Sequence, residues 1–384
     1  MSETLVKTVR DFITTEVLPI DDAFDGDINA AGGETTRTRL QALAREAGIL
    51  SPHGPVEYGG LGLNMTDRAP IFEAAGHSLF GPLALNIAAP DEGNIHMLHL
   101  IAEGTQRESY LAPLTQGDAR SAFAMTEPSP GAGADPNAML TTATKVEGGW
   151  VINGRKHLIT GAYGATFFIV MARTPSGATM FLVPAEREGI ELVRHIPTVD
   201  LSMIGGHAEM TFTDVFVPED DVLGEVGQGF KYAQVRLGPA RMTHVMRWSG
   251  AAHHAHQTAV RYASQRQAFG SRIADLGLAQ QLIADNEIDL AATKALLMVA
   301  CTELDNGGRA SKETSIAKTF AAEALHRVVD RSLQLCGGIG ASADLPIARI
   351  LREIRLFRIY DGPSEVHRWS LAKRAVRELR AGHV

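Results

Sequence analysis

The 384-residue chain carries a formal net charge of −8, with 45% apolar and 21% charged residues, a composition that excludes a disordered chain and predicts two or three structural units. The acidic balance argues against a nucleic-acid partner. Cys301 and Cys336, outside any CxxC or Cys/His cluster, argue against a disulfide framework or a structural metal.

Neither a charged stretch leading into an apolar one at the N-terminus nor an apolar run of membrane-spanning length occurs, so the chain reads as cytoplasmic with no membrane span. Up to about residue 120, apolar residues recur at three- and four-residue spacing over 4–17, 35–47 and 69–80, which predicts helices, with a Gly-rich loop at 59–62. From 121 to 235 the period falls to two. An Asn153-Gly154 pair inside 150–160 predicts a hairpin, and 166–173, 179–184, 191–195 and 208–217 read as further strands. From 236 to 384 long helices return over 241–266, 276–306, 312–336 and 347–359, the pattern of an antiparallel bundle. The expected fold class is α+β: an N-terminal helical domain (1–120), a central β-barrel or sandwich (121–235) and a C-terminal four-helix bundle (236–384).

Several segments are chemically suggestive and each has an ordinary structural reading. The Gly- and Pro-rich loop over 121–135 can let a flat or phosphate-bearing ligand approach bare backbone, or simply link domains. Gln334 to Gly340 ends a helix with three glycines, which serves a pyrophosphate or a helix C-cap. Arg266 ends another helix, where a cation ordinarily compensates the dipole. His253, His254 and His256 lack a third ligand at metal spacing and read as solvated or partly buried side chains. Adjacent Asp91 and Glu92 read by default as a helix N-terminal cap. In Tyr360-Asp361-Gly362-Pro363 a helix cannot continue, which leaves the Asp361 carboxylate at the rim of a loop, as a turn or as a general base.

Taken in order, these segments resemble acyl-CoA dehydrogenases. The resemblance rests on Thr126-Glu127-Pro128 with its Gly-rich tail, the stretch over 150–160 and the run over 214–230. It continues through Arg266-x-x-Phe269-Gly270, Gln334-x-x-Gly337-Gly338 and Tyr360-Asp361-Gly362. Residues 89–94, 123–128, 236–241 and 361–367 are similar to the branch containing acyl-CoA dehydrogenase family members ten and eleven. The resemblance implies FAD held between the β domain and the bundle, with an acyl-CoA thioester lying along the flavin. Phe123, Met125 and Thr126 match residues lining the isoalloxazine, with Ile159 and Thr160 behind it. Arg266, Phe269, Gln334, Gly337 and Gly338 match positions that reach FAD across a subunit interface, which implies a homodimer or homotetramer. Asp361 matches the base that removes the Cα proton while flavin takes hydride from Cβ, and Arg241 an arginine that orders its loop. Hydrogen bonds to the thioester oxygen, one of them from the base's own N–H, would stabilise the enolate-like charge. Ala134, Asp91, Glu92, Tyr360 and Gly362 are candidate substrate contacts, and an electron-transferring flavoprotein is the expected oxidant.

Three departures stand out. Most of the family has Glu where this chain has Asp361, Ala134 stands where many relatives have Ser near the thioester arm, and Pro363 replaces a Thr that contacts FAD. Some relatives carry the base on the first bundle helix, a position held here by Ala240, which cannot serve. The reading is an FAD-dependent acyl-CoA α,β-dehydrogenase. A flavin monooxygenase or nitroalkane-oxidase-like relative, or a flavin-binding partner subunit lacking base function, is the alternative. Small residues at Gly238 and Ala240 would admit a branched acyl group, and an acid at 91 or 92 a hydroxylated or cyclic one.

Overall fold

The computed structural model describes residues 2–382. Helices α1 (Ser2–Phe12), α2 (Glu34–Glu46), α3 (Met65–Ala75) and α4 (Asp91–Ile101) come first. Eight strands follow: β1 (Ser121–Ala124), β2 (Thr142–Val146), β3 (Gly149–Thr160), β4 (Phe167–Thr174), β5 (Gly177–Pro184), β6 (Ile190–His195), β7 (His207–Pro218) and β8 (Val222–Leu223). The main helices of the C-terminal region are α5 (Gly229–Gln265), α6 (Gly277–Asp305), α7 (Ser311–Cys336), α8 (Ile347–Ile354) and α9 (Ser364–Arg380). Helix, then sheet, then helix is the order expected from the sequence. Spatially, one unit comprises the chain up to Ala31, Asn64–Pro82 and the chain from Gly238 on, and the other comprises Gly32–Leu63 and Leu83–Leu237.

In the second unit the sheet runs β6-β7-β3-β2-β4-β5-β8, with β1 pairing β4 in parallel. Strands β4 and β5 are buried on both faces, so they read as continuous apolar runs and not as an alternation. Phe168, Val170 and Phe181 join one core with Trp150, Ile152 and Phe212 of the neighbouring strands. Phe167, Ile169, Met180 and Leu182 face the other way, onto Ile95, Leu98 and Leu111.

The hairpin expected at Asn153-Gly154 is not there. Strand β3 runs straight through that pair, and the turn joining β2 to β3 lies at Glu147-Gly148. The pair instead answers a bulge in β7, where Asp214 takes φ +51° and the register shifts between Ile152 and Gly154. The Asn153 side chain accepts from Asp214 N at 2.9 Å and donates to its carboxylate at 3.0 Å. A Cβ at position 154 would sit 2.5 Å from Thr141 Oγ1, so the glycine is there for close approach.

A second bulge, at Leu158 with φ +57°, shifts the register between Lys156 and Ile159. It lets both Lys156 and Ile159 face inward. Lys156 Nζ lies 3.0 Å from Glu127 Oε1, the two side chains being 0% and 2% exposed. Lys156 also donates to Met125 O at 2.9 Å. Glu127 further accepts from the backbone N–H groups of Leu140 at 2.6 Å, Thr141 at 2.9 Å and Ala132 at 3.2 Å. One buried carboxylate thereby closes the Gly-rich loop on itself. Burial alone would raise the Glu127 carboxyl, but its bonds with Thr141, Lys156 and Leu140 outweigh burial and hold it at about 2. Burial pushes the Lys156 ammonium down to about 8.

In the first unit, α7 packs on α6, α8 and α9. The carboxylate of Asp305 accepts from Met65 N and Thr66 N, at 2.7 and 2.9 Å, and so satisfies the start of α3. Helix α3 then meets α5 almost backbone to backbone, since a Cβ on Gly76 or Gly250 would lie 2.0 Å from a carbonyl oxygen of the other helix. The sequence reading ends its last helix at 359. The structure ends α8 at Ile354, continues in a 3-10 turn over Arg355–Arg358 and adds α9. Helix α9 carries only Ser364 and His367 as buried residues, so its apolar stripe is too thin to register as a period.

The Glu127–Lys156 pair makes a measurable prediction. Glu127→Gln strands a buried ammonium and should lower the unfolding free energy at pH 7 by about 3–5 kcal/mol. The carboxylate's contribution is fully present above its ordinary pKa of 4.5 and is lost as pH falls through about 2. Urea unfolding should therefore show the gap between wild type and variant narrowing below about pH 4.5. An equal gap at pH 7 and pH 3 would contradict this account.

Candidate active site

Between α8 and α9 the chain passes through two consecutive residues with left-handed backbone, Asp361 at φ +52° and Gly362 at φ +97°. A Cβ on Gly362 would lie 2.7 Å from His367 Nε2, so only glycine fits there. Pro363, at φ −56°, leads into the first turn of α9. A turn of this kind leaves carbonyls without helical partners. Three helices supply side chains for them. Arg241 Nε on α5 donates to Asp361 O at 2.9 Å, His367 Nε2 on α9 lies 3.2 Å from the same oxygen, and Lys318 Nζ on α7 donates to Gly362 O at 2.7 Å.

The charges around this turn follow from burial. Lys318 is fully buried, and desolvation pushes its ammonium down to about 8 against the opposing pull of Asp361. Burial, with the charges of Arg241 and Lys318 nearby, drives the His367 ring to about 4, so it is neutral at pH 7. A carbonyl only accepts, so His367 carries its hydrogen on Nε2 and takes the Ser315 hydroxyl on Nδ1 at 3.1 Å.

The Asp361 side chain is 18% exposed, and its Oδ2 lies 3.1 Å from His244 Nε2. His244 Nδ1 lies 2.7 Å from an Arg247 guanidinium nitrogen. The imidazole packs on the Tyr360 ring at 4.6 Å between centroids and on Phe357 at 6.0 Å. Trp248 Nε1 donates to the Tyr360 hydroxyl at 2.5 Å. Tyr360, Asp361, Gly362 and Arg241 are thus brought together in the first unit.

In the second unit, Thr126 lies against β3. Its Oγ1 donates to His157 O at 2.6 Å and its carbonyl accepts from His157 N at 2.9 Å. That contact sets Phe123, Met125 and Thr126 beside the stretch of β3 that ends in Ile159 and Thr160. Ile159 is buried, and the Thr160 hydroxyl lies 3.0 Å from His207 Nδ1, whose Nε2 is 2.9 Å from Asp200. The Phe123 ring is covered by the Arg236 guanidinium at 4.4 Å, which is itself bonded to Asn94 Oδ1 at 2.7 Å.

Asp91 stands in the first turn of α4 but does not cap it. Its Oδ1 accepts from Ser121 N at 2.7 Å and from Ser121 Oγ at 2.6 Å, a bond that fixes the start of β1, and burial raises its carboxyl. Glu92 is buried. Ala134 is exposed beside Gly133, on the loop that Glu127 closes.

Arg266 and Phe269 follow α5, about 35 Å along the helix from Arg241. Phe269 takes φ +53° at the tip of a two-stranded ribbon and is 95% exposed. Gln334 is exposed on the last turn of α7, and a Cβ on Gly337 or Gly338 just beyond it would meet nothing within 4 Å. The histidines weighed as a metal cluster have protein partners: His253 with Glu73 at 2.9 Å, His254 with His77 O at 2.7 Å, His256 with Glu287 at 2.9 Å.

Sequence reasoning missed His244, Arg247, Lys318 and His367. His244 lies one turn beyond Arg241 on the same face of α5, a spacing that could have drawn attention to it. Lys318 is a lone charge in the otherwise uncharged stretch 314–322 of α7, which was also a usable signal.

Models of the acyl-CoA dehydrogenase N-terminal, middle and C-terminal domains match residues 2–118, 122–215 and 227–376. A Mycobacterium tuberculosis protein named as acyl-CoA dehydrogenase FadE2 is 37% identical, over 95% of this chain and 93% of its own length. The chain belongs to the acyl-CoA dehydrogenase family. It is an oxidoreductase of that class. Acyl-CoA dehydrogenase family member 11 of Gallus gallus is 33% identical over 87% of this chain, which spans only 44% of that longer protein. The fold is shared with a Mycobacterium abscessus protein described as an acyl-CoA dehydrogenase, at 36% identity, a TM-score of 0.90 and 98% coverage of both chains. No helix among the described residues is long and apolar enough to cross a membrane.

The backbone at the Asp361 turn predicts a contrast between two glycines of this family member. Gly362→Ala should destabilise the protein by about 1–3 kcal/mol, because it adds strain at positive φ and a clash with His367. Gly338→Ala, facing open space, should stay within about 0.5 kcal/mol of wild type. Equal unfolding midpoints for the two variants in urea would contradict the geometry.

Proposed function

We propose that the protein is an FAD-dependent acyl-CoA dehydrogenase that converts an acyl-CoA thioester to the trans-2-enoyl-CoA, with Asp361 removing the Cα proton. The single observation that carries this reading is the tethering of Asp361. A left-handed turn ending a helix holds a carboxylate 18% exposed, with its own carbonyl and the next one bound by Arg241, His367 and Lys318. An ordinary surface turn needs no such scaffold, whereas a general base must keep its geometry through the reaction.

The residues matched to FAD suit that cofactor. Thr126 and Thr160 bring hydroxyls, and Phe123 and Ile159 apolar surface, to neighbouring strands for a flat ring system. Gly337 and Gly338 offer backbone with nothing in front of it, which a pyrophosphate can approach. Exposed Phe269, with Arg266 and Gln334, fits the role of reaching the FAD of a second copy, in a homodimer or homotetramer. Bound FAD supplies the acceptor for the hydride leaving Cβ. Asp361 takes the proton from Cα, the Cα–Cβ double bond forms, and the backbone N–H of the base helps hold the thioester oxygen as charge develops on it. Arg241 keeps the base's own peptide in place. Ala134, Tyr360 and Gly362 are proposed acyl-CoA contacts. Asp91, engaged by Ser121, is better suited to fixing β1 than to binding a polar acyl chain, and Glu92 keeps its place among the candidates. An electron-transferring flavoprotein is the proposed oxidant, and a cytoplasmic β-oxidation-type sequence the proposed setting.

The alternatives have less support. Oxidase-like relatives carry their base on the first bundle helix, and that position is buried Ala240. A partner subunit without base function has no use for the tethered Asp361.

Asp361→Ala should bind FAD and stay yellow while enoyl-CoA formation falls by about 10²–10⁴-fold. Anaerobic flavin bleaching with straight, branched, cyclic and hydroxylated acyl-CoAs measures this and sets the chain preference. Wild-type turnover in the variant would reject Asp361 as the base. Oxygen consumption without any acyl-CoA would favour the oxidase-like reading.

A further inference from the structure

We infer that His244 is a positioning residue for the base: it donates a hydrogen bond to the Asp361 carboxylate and fixes the direction in which that carboxylate takes a proton, with Arg247 locking its tautomer. The inference rests on the proposed role of Asp361 and goes beyond it, because nothing in the family resemblance assigns a function to residue 244.

Hydrogen-bond chemistry fixes the direction of each bond. A guanidinium only donates, so His244 Nδ1, 2.7 Å from Arg247, must accept. A second ring proton would point straight at Arg247. The single ring hydrogen therefore sits on Nε2, which faces Asp361 Oδ2 at 3.1 Å. His244 and Arg247 are buried, and the imidazole packs at a tilt against Tyr360, at 4.6 Å and 47°, and Phe357, at 6.0 Å and 39°, so the ring has little room to turn.

This arrangement also settles what His244 does not do. A histidine serving as base needs an unprotonated nitrogen turned toward substrate. Its only unprotonated nitrogen is occupied by Arg247, so His244 is not the proton acceptor. The carboxylate is compatible with both tasks, since it offers about four lone-pair sites and His244 takes one. The bond fixes a torsion of a short side chain whose peptide is already held by Arg241 and His367. A hydrogen bond to the ionised form also favours that form, so it keeps Asp361 ready to accept a proton at lower pH. Among the described residues, the other charged or titratable groups around this turn include Arg241 and Arg247 on α5, Lys318 on α7 with the nearby charges of Glu323 and Glu365, His367 on α9 and the Tyr360 hydroxyl. All remain in His244→Phe and His244→Gln, and Arg247→Met removes Arg247 alone.

The test compares His244→Phe, which keeps the ring packing and loses the donor, with His244→Gln, which restores an N–H donor. The substrate is whichever straight-chain acyl-CoA from butyryl to palmitoyl bleaches the wild-type flavin fastest. FAD content and unfolding midpoint establish that each variant is folded. His244→Phe should lower kcat/KM by about a hundredfold, mostly through kcat, and move the acidic limb of its pH profile up by about one unit. His244→Gln should recover most of the rate and the wild-type limb. Arg247→Met, which frees Nδ1 and releases the tautomer, should lower kcat and displace the limb in the same direction.

A folded His244→Phe with wild-type rate and pH profile would overturn the inference. So would equal losses in the Phe and Gln variants with an unmoved limb, the mark of a purely structural role. Asp361→Ala, measured alongside, separates the two levels. If it is inactive while His244→Phe is unaffected, the positioning role alone falls. If Asp361→Ala retains full activity, the base assignment falls and takes this inference with it.

Discussion

The capture of two successive carbonyls, those of Asp361 and Gly362, is the constraint on which the rest of the site depends. Left-handed backbone at Asp361 and Gly362 keeps the chain out of helix between α8 and α9, and a buried carbonyl left without a donor costs about 1–3 kcal/mol. Arg241, His367 and Lys318 answer that cost from three different helices. The turn therefore stays fixed only while α5, α7 and α9 keep their packing. The near-contact of backbones at Gly76 and Gly250 leaves α5 little freedom to slide along α3, so the anchor of Arg241 is itself anchored. Rigidity at one carboxylate is a property of the whole helical unit.

The sheet unit uses the same device with the charges reversed. There a buried anion, Glu127, gathers one lysine and three backbone N–H groups, and the loop between β1 and β2 closes around it. Lys156 reaches Glu127 because a bulge at Leu158 changes the phase of β3, and the same bulge sets the facing of Ile159 and Thr160. In both units a stretch carrying candidate functional residues interrupts regular structure, and each interruption is held by buried ionic groups, Lys318 in one and Glu127 with Lys156 in the other. This is the expected location of functional groups, since an unbroken helix or strand satisfies its own backbone and presents side chains only at fixed intervals.

Periodicity made the architecture legible. Four of the C-terminal helices, the strands over 166–217 and the Tyr360 to Pro363 break could be read because each rests on local pattern or on proline chemistry. Asn153-Gly154 misled for an instructive reason: the dipeptide usually marks a turn, and the fold uses its glycine for close approach to Thr141 and its asparagine to bond Asp214 at a bulge. Helix α9 escaped because two buried residues make no stripe. The loop tethers were invisible for a different reason. Arg241, Lys318 and His367 are 77 and 49 residues apart along the chain, and only helix packing brings them to two successive carbonyls. His244 and Arg247 stayed unread because a helical histidine three residues from an arginine is commonplace until a carboxylate from elsewhere meets it.

Asp in place of Glu reads differently once the turn is described. A glutamate base gains reach from an extra methylene and loses the freedom of an extra torsion on being held, a side-chain entropy cost that is larger for Glu than for Asp. The aspartate here has less to immobilise, and reach has to come from the backbone that carries it. That backbone is the costly part: Asp361 sits at φ +52°, where a non-glycine residue is strained, and it is kept there by bonds to its own carbonyl and to the next. The histidine at Oδ2 then acts on the side-chain torsions that the backbone bonds do not reach. The short carboxylate on this turn is held from two sides, its carbonyl by Arg241 and His367 and its Oδ2 by His244. The residue at 361 and the residue at 244 meet in one hydrogen-bonded pair, so a change at either is felt at the other.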